Sequence, residues 1–284
     1  MNINWYPGHM KKAKESIKKN LSLVDLVYEV IDARIPYSSR NPEIDNIIGD
    51  RPRLIILNKS GLADEKANLI WEEYFKSKGI LAISVDSLNN KGIDDIISLS
   101  YKLTKDKRMV LEKKGIKNRP IRAMILGIPN VGKSTLINSL SKRKGAKVGN
   151  KPGVTKGNQW IKIKGDLELL DTPGILWPKF EDRYIGLNLA FTGAIKDELL
   201  DIETLSLELI EKLNSISISY IEKRYNIVTQ AKTNYDIIME IGRKRGCIVK
   251  GGEVDFEKAS RIVIDEFRKG LLGRITLELP KDLR

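Results

Sequence analysis

The chain has 284 residues, room for two domains, and its 41% hydrophobic and 31% charged residues exclude a disordered or fibrous protein. A single cysteine, Cys247, excludes a disulfide framework or zinc cluster built within one chain and fits a reducing cytosol; no apolar run approaches the roughly 20 residues of a membrane span. The formal net charge of +13 falls entirely on residues 1–178, which carry 32 basic and 19 acidic residues, whereas residues 179–284 balance at 18 of each, so a polyanionic partner is expected for the first part.

In chain order, residues 9–21 read as a helix with Met10, Ala13, Ile17 and Leu21 on one face and lysines mostly on the others. A strand at 24–31 runs into Asp32-Ala33-Arg34-Ile35-Pro36. A short helix is predicted at 43–49, strands at 53–58 and 80–85, and helices at 65–78 and 92–104. Strands alternating with helices predict an α/β fold whose parallel-rich sheet is covered on both faces and whose ligands gather beyond the strands' carboxyl ends. Residues 105–120 are polar and basic, with Lys113-Lys114-Gly115 at the centre, and read as a joint.

Residues 121–135 carry the most specific signal. An apolar strand ends at Gly127, the loop Gly127-x-x-x-x-Gly132-Lys133-Ser134 follows, and a helix begins: the context of a P-loop. Backbone N–H groups must close around phosphate oxygens there, which excludes bulk at Gly127 and Gly132, and the helix N-terminus adds its positive dipole end. Asn130, Val131, Gly132, Lys133, Ser134 and Thr135 form the candidate cradle. Lys133 supplies a point charge to the β/γ-phosphates and Ser134 a hydroxyl to Mg²⁺.

The glycine-punctuated stretch 143–158 has no hydrophobic period and offers Thr155 as a second metal ligand. A hairpin at 159–164 and 167–170 leads to Asp171-Thr172-Pro173-Gly174, the Asp-x-x-Gly pattern that GTPases use to reach Mg²⁺ through water, here with Asp171, and to bind the γ-phosphate, here with the Gly174 N–H. Upstream, Asn58-Lys59-Ser60-Gly61 begins as a guanine-recognition motif, and Asp86-Ser87 reads as the loop closing over the base. After Trp177-Pro178 the strand signals stop. Helical spacing at 182–195, 202–213, 217–224, 231–245 and 255–270 predicts an all-helical second domain over 179–284, after a nucleotide-binding domain at 1–178.

GTPases ordinarily run P-loop, threonine, Asp-x-x-Gly, guanine motif, base loop; here the last two come first, so the GTPase domain is circularly permuted. With Trp5-Tyr6-Pro7-Gly8-His9-Met10, Asp32-Ala33-Arg34-Ile35-Pro36 and Thr192-Gly193-Ala194-Ile195, the chain resembles the bacterial ribosome biogenesis GTPase A family over essentially its whole length. The resemblance implies a cytoplasmic, GTP-hydrolysing assembly factor that binds a precursor of the large ribosomal subunit in its GTP form and leaves on hydrolysis. It also implies that the helical domain contacts ribosomal RNA, although that domain's own charge does not ask for it. Three basic clusters, at 1–20, 102–122 and 142–164, favour nucleic acid over solvated lysine faces. The alternative is a nucleotide-gated RNA-binding protein with incidental hydrolysis.

Three residues carry sharper expectations. The position after Asp-x-x-Gly is Ile175, which cannot orient water, so the chain's only histidine, His9, is the candidate catalytic group, a role that the resemblance also suggests. Asn130 occupies the position at which potassium-activated GTPases place an asparagine on K⁺. Gly61 stands where the guanine motif calls for Asp, which predicts weaker and less selective GTP binding that a Gly61→Asp change would strengthen. The nearby Asp64 has no spacing that favours it as a substitute.

Overall fold

A computed structural model of the chain describes residues 15–116, 119–141, 159–163, 166–171 and 182–283, with Gln159 and Asp171 described in their backbone alone. It divides into two compact units: Asn2–Phe180 together with Glu278–Arg284, and Glu181–Leu277.

The first unit is built on a six-stranded sheet of β1 (Leu26–Asp32), β2 (Arg53–Asn58), β3 (Leu81–Val85), β4 (Ile121–Leu126), β5 (Gln159–Ile163) and β6 (Leu167–Asp171), in the order β3-β2-β1-β4-β6-β5. All neighbours are parallel except β5, which runs antiparallel to β6 with Trp160 opposite Leu170. The chain winds outward from β1 to β3, then returns to lay β4 on the other side of β1. The gap between β1 and β4 is therefore a topological switch point, where the loops leave in opposite directions and open a crevice. The permutation is visible in this order: the strand that feeds the P-loop comes fourth.

β1 is buried along its whole length, as a central parallel strand must be. On one face of the sheet, Val27, Met124, Leu126 and Leu170 pack against helix α1, described over 15–21, and α2 (Glu43–Ile48), through Ile17, Leu21, Ile44, Ile47 and Ile48. Ile31, Ile55 and Leu57 lie on the same face by register and meet Trp71 and Phe75 of α3 (Glu65–Ser77). Between these clusters sits Glu29, fully buried, its charge met by Arg40 at 3.0 Å and Arg53 at 3.1 Å. The opposite face takes α4 (Ile93–Leu103), to which Tyr28 Oη is tied by a 2.6 Å hydrogen bond with Ser100 Oγ.

The joint expected at 105–120 contains a helix, α5 (Lys105–Lys113). Asp25, just before β1, holds it: the carboxylate takes Lys107 Nζ at 2.6 Å, Arg119 Nη1 at 3.2 Å and the Arg122 N–H at 3.0 Å. With Arg122 also paired to Glu168 at 3.0 Å, part of the basic cluster at 102–122 is spent on internal ion pairs.

The second unit is all-helical, with α7 (Arg183–Phe191), α8 (Ile202–Ser217), α9 (Ser219–Tyr225), α10 (Asn234–Lys244) and α11 (Phe256–Arg268). Side chains start four of these helices: Asp182 on the Tyr184 N–H, Asp201 on Thr204, a Thr233–Asp236 capping box, and Asp255 on Lys258. Leu205, Leu209, Ile237, Ile241, Val263 and Phe267 form the core. Arg268 closes α7 by donating to the Ala190 and Phe191 carbonyls while gripping Asp197 through two 2.8 Å bonds.

The C-terminal boundary differs from the expected 179–284. Glu278 is buried, its carboxylate accepts from Ser38 N at 2.7 Å and Ser38 Oγ at 2.6 Å, and its carbonyl accepts from Trp71 Nε1 at 3.0 Å. Leu283 packs against the cluster that contains Trp71 and Phe75. The last residues therefore complete the core beneath α3, a return whose destination the local pattern does not announce.

Candidate nucleotide-binding site

β4 ends at Leu126, and the loop 127–132 leads into α6 (Lys133–Ser141). Gly127 has φ +155°, and a Cβ there would lie 2.4 Å from the Val30 carbonyl oxygen of β1. Gly132 has φ +92°, and a Cβ there would lie 2.4 Å from Asn58 Nδ2. The protein's own packing thus enforces both glycines, beyond the phosphate argument. Asn130 holds a left-handed φ of +62°, within what asparagine tolerates. Lys133 is 8% exposed, and its Nζ donates to the Gly127 carbonyl at 2.9 Å and the Ile128 carbonyl at 2.8 Å, folding the amine over the loop. Ser134 and Thr135 follow in the first turn of α6. A glycine-lined turn, a buried lysine amine and a helix N-terminus are the donor set that polyphosphate needs, and these residues fit it.

Asn58 brackets the site. It ends β2, is 1% exposed, donates from Nδ2 to the Val131 carbonyl at 2.8 Å, and accepts at Oδ1 from Ser87 Oγ at 2.6 Å and Ser87 N at 3.3 Å. One amide thereby ties the β2 loop to both the P-loop and the base loop. Ser139 of α6 adds a tie that the sequence did not signal, donating to the Ser87 carbonyl at 2.6 Å.

Lys59 sits at φ +61° and reaches back to Asp32 at 2.9 Å. Asp32 also accepts from Arg34 N, Nε and Nη2 at 3.0, 2.9 and 2.7 Å. Burial alone would raise the Asp32 pKa, but Arg34 and then Lys59 outweigh it and hold the carboxyl well below the usual range. The Asp32-Ala33-Arg34 segment is thus the brace that sets the Lys59 side chain.

Ser60 and Gly61 lie in a one-turn 3₁₀ helix, Ser60–Leu62. Asp64 serves as the N-cap of α3, accepting from Ala67 N at 2.8 Å, which answers its presence near the guanine motif. Asp86, 7% exposed, lies against Gly61. Of the other expected residues, His9, Thr155 and Gly174 lie outside the described residues, and Asp171 is placed by its backbone at the end of β6, next to β4. Among the described residues no group of three or more His, Cys, Asp or Glu side chains could hold a metal, and no helix is long and apolar enough to cross a membrane.

The sequence signature of the family described as "50S ribosome-binding GTPase" matches residues 122–235. It starts in β4, so the guanine motif and base loop fall before the matched segment, as permutation requires. Over full length the chain is 44% identical to the ribosome biogenesis GTPase A of Bacillus licheniformis, covering 100% of both chains, and 46% identical to that of Bacillus cereus, covering 99% of this chain and 95% of the other. The GDP-bound structure of TM YlqF is similar with a TM-score of 0.68 at 29% identity, over 94% of this chain and 100% of that one. A permuted P-loop fold, a braced guanine motif and full-length kinship make this chain a GTP- and Mg²⁺-binding GTPase that acts in ribosome assembly, and it belongs to the ribosome biogenesis GTPase A family.

Proposed function

We propose that the particle on which this GTPase acts is a precursor of the large ribosomal subunit, bound in the GTP state and released on hydrolysis. The observation that carries the reading is the match of residues 122–235 to a family described by binding to the 50S ribosome, a span that crosses from the P-loop into the helical unit. The path of the chain supports a coupling: β6 ends at Asp171, and the next described helix, from Arg183, already belongs to the second unit. A segment that follows the γ-phosphate can therefore bias a ribosome-facing unit. The basic clusters at 1–20 and 142–164 suit ribosomal RNA, and the cytosol is the compartment where such particles are met.

In this reading Lys133 turns its amine from the Gly127 and Ile128 carbonyls to the β/γ-phosphates, and backbone N–H groups of the loop and α6 hold the remaining oxygens. Ser134, Thr155 and Asp171 are assigned to the Mg²⁺ that accompanies the nucleotide, which offsets phosphate charge. Asn130 is assigned to K⁺, Gly174 to the γ-phosphate, and His9 to orienting the attacking water.

Sedimentation of ribosomal particles with the protein held in a non-hydrolysable GTP analogue tests the partner. Comigration with large-subunit particles in that state and its loss with GDP are expected; equal binding in both states, or preference for free RNA, overturns the reading. A His9→Ala protein that binds GTP normally is expected to lose particle-stimulated hydrolysis, and an unchanged rate removes His9 from the chemistry.

A further inference from the structure

Guanine is told from other bases by a carboxylate that accepts hydrogen bonds from its N1–H and 2-amino group, and residue 61, where the motif places that carboxylate, is glycine. The space beside it is taken. A Cβ built on Gly61 would lie 2.2 Å from Asp86 Oδ2 and 3.2 Å from Asp86 Cγ, so a carboxylate from the base loop already stands where a side chain at 61 would begin.

Asp86 is held there firmly. Its backbone exchanges two 3.1 Å hydrogen bonds with Lys91, closing the 86–91 turn. Its Oδ1 accepts from Leu88 N and Asn89 N, both at 3.2 Å, while Oδ2 accepts from Asn89 Nδ2 at 2.7 Å. The oxygen facing Gly61 thus takes one donor in these contacts and keeps acceptor capacity. The next residue, Ser87, is locked to Asn58, which fixes the loop against the rest of the guanine motif.

We propose that Asp86 is the guanine-selecting carboxylate of this protein, having taken over from position 61. The glycine then has a reason: it is the residue that leaves Asp86 room, and the weak selectivity expected from Gly61 alone does not follow. Restoring an aspartate at 61 would push one carboxylate into another, a steric conflict and a like-charge pair in one place.

Equilibrium titrations of the full-length protein with GDP, XDP and ADP decide it without hydrolysis or ribosomes, so the result is independent of the partner proposed above. Xanthine carries a carbonyl where guanine carries the 2-amino group, so the NH₂ of an amide at the selecting position can donate to it. Asp86→Asn is expected to weaken GDP binding about 10- to 100-fold, the loss of one or two charge-assisted bonds, and to bind XDP more tightly than the parent does. Mere loosening of the loop would weaken both nucleotides alike. Gly61→Asp alone is expected to weaken GDP binding, and the double variant Gly61→Asp/Asp86→Ala, which clears the space and moves the carboxylate back, to recover it. An Asp86→Asn protein with the parent's GDP-to-XDP preference overturns the proposal, as does a Gly61→Asp protein that binds GDP more tightly than the parent.

Discussion

Replacing Asp32 by asparagine keeps the shape of the side chain and removes the charge that organises four donors. Arg34 N, Nε and Nη2 and Lys59 Nζ all lie within 3.0 Å of its two oxygens. Asp32 and Arg34 are each 2% exposed, so water cannot take over. An asparagine would set an NH₂ against arginine or lysine donors and take from the buried guanidinium the carboxylate charge that Asp32 gives it. Breaking a buried pair in this way costs about 3–5 kcal/mol, or roughly 6–20 °C in Tm for a unit of this size. Thermal unfolding at neutral pH measures it, and a variant melting within about 2 °C of the parent would refute the reasoning. The pH dependence has a definite sign. Because Arg34 and Lys59 hold the folded pKa below the unfolded value, the stabilisation is fully present above about pH 4 and is lost as pH falls through the folded pKa. The gap between parent and variant should therefore stay constant from pH 8 to 5 and close only in stronger acid.

Asn58→Ala removes the acceptor of Ser87 and the donor to Val131, both buried, and is expected to cost about 2–4 kcal/mol while lowering GDP affinity; unchanged affinity would separate the bracket from the site. Glu278→Ala takes the carboxylate away from the buried Ser38 N–H and hydroxyl and is expected to cost about 2–4 kcal/mol in urea unfolding, where an unchanged midpoint would show that the tail contributes nothing. Hydrolysis compared in KCl and NaCl at equal ionic strength should be faster in KCl, and Asn130→Ala should remove the difference; equal rates for the parent count against a K⁺ site.

The elements that proved legible in the sequence are those whose cause is local. Gly127, Gly132 and Lys133 announce a P-loop because backbone approach to phosphate restricts residues that are neighbours in the chain. Helices α8, α10 and α11 show in the period of their apolar residues, while the caps that start them, Asp201, Thr233 and Asp255, were identified in the structure. The permuted order needed no coordinates either, because it is a statement about order. What only the tertiary structure decided depends on residues far apart in sequence. Gly61 read alone is a lost carboxylate, and only the folding of the 86–91 turn against β2 brings Asp86 Oδ2 into its place. Asp32-Ala33-Arg34 was a motif with no evident task until β1 and β2 paired in register and set Asp32 beside Asn58 and Lys59. The alternation Ile275-Thr276-Leu277-Glu278-Leu279 suggests one face turned to solvent, yet Glu278 is buried, offering its carboxylate to Ser38 and its carbonyl to Trp71, and such single long-range contacts leave no pattern along the chain.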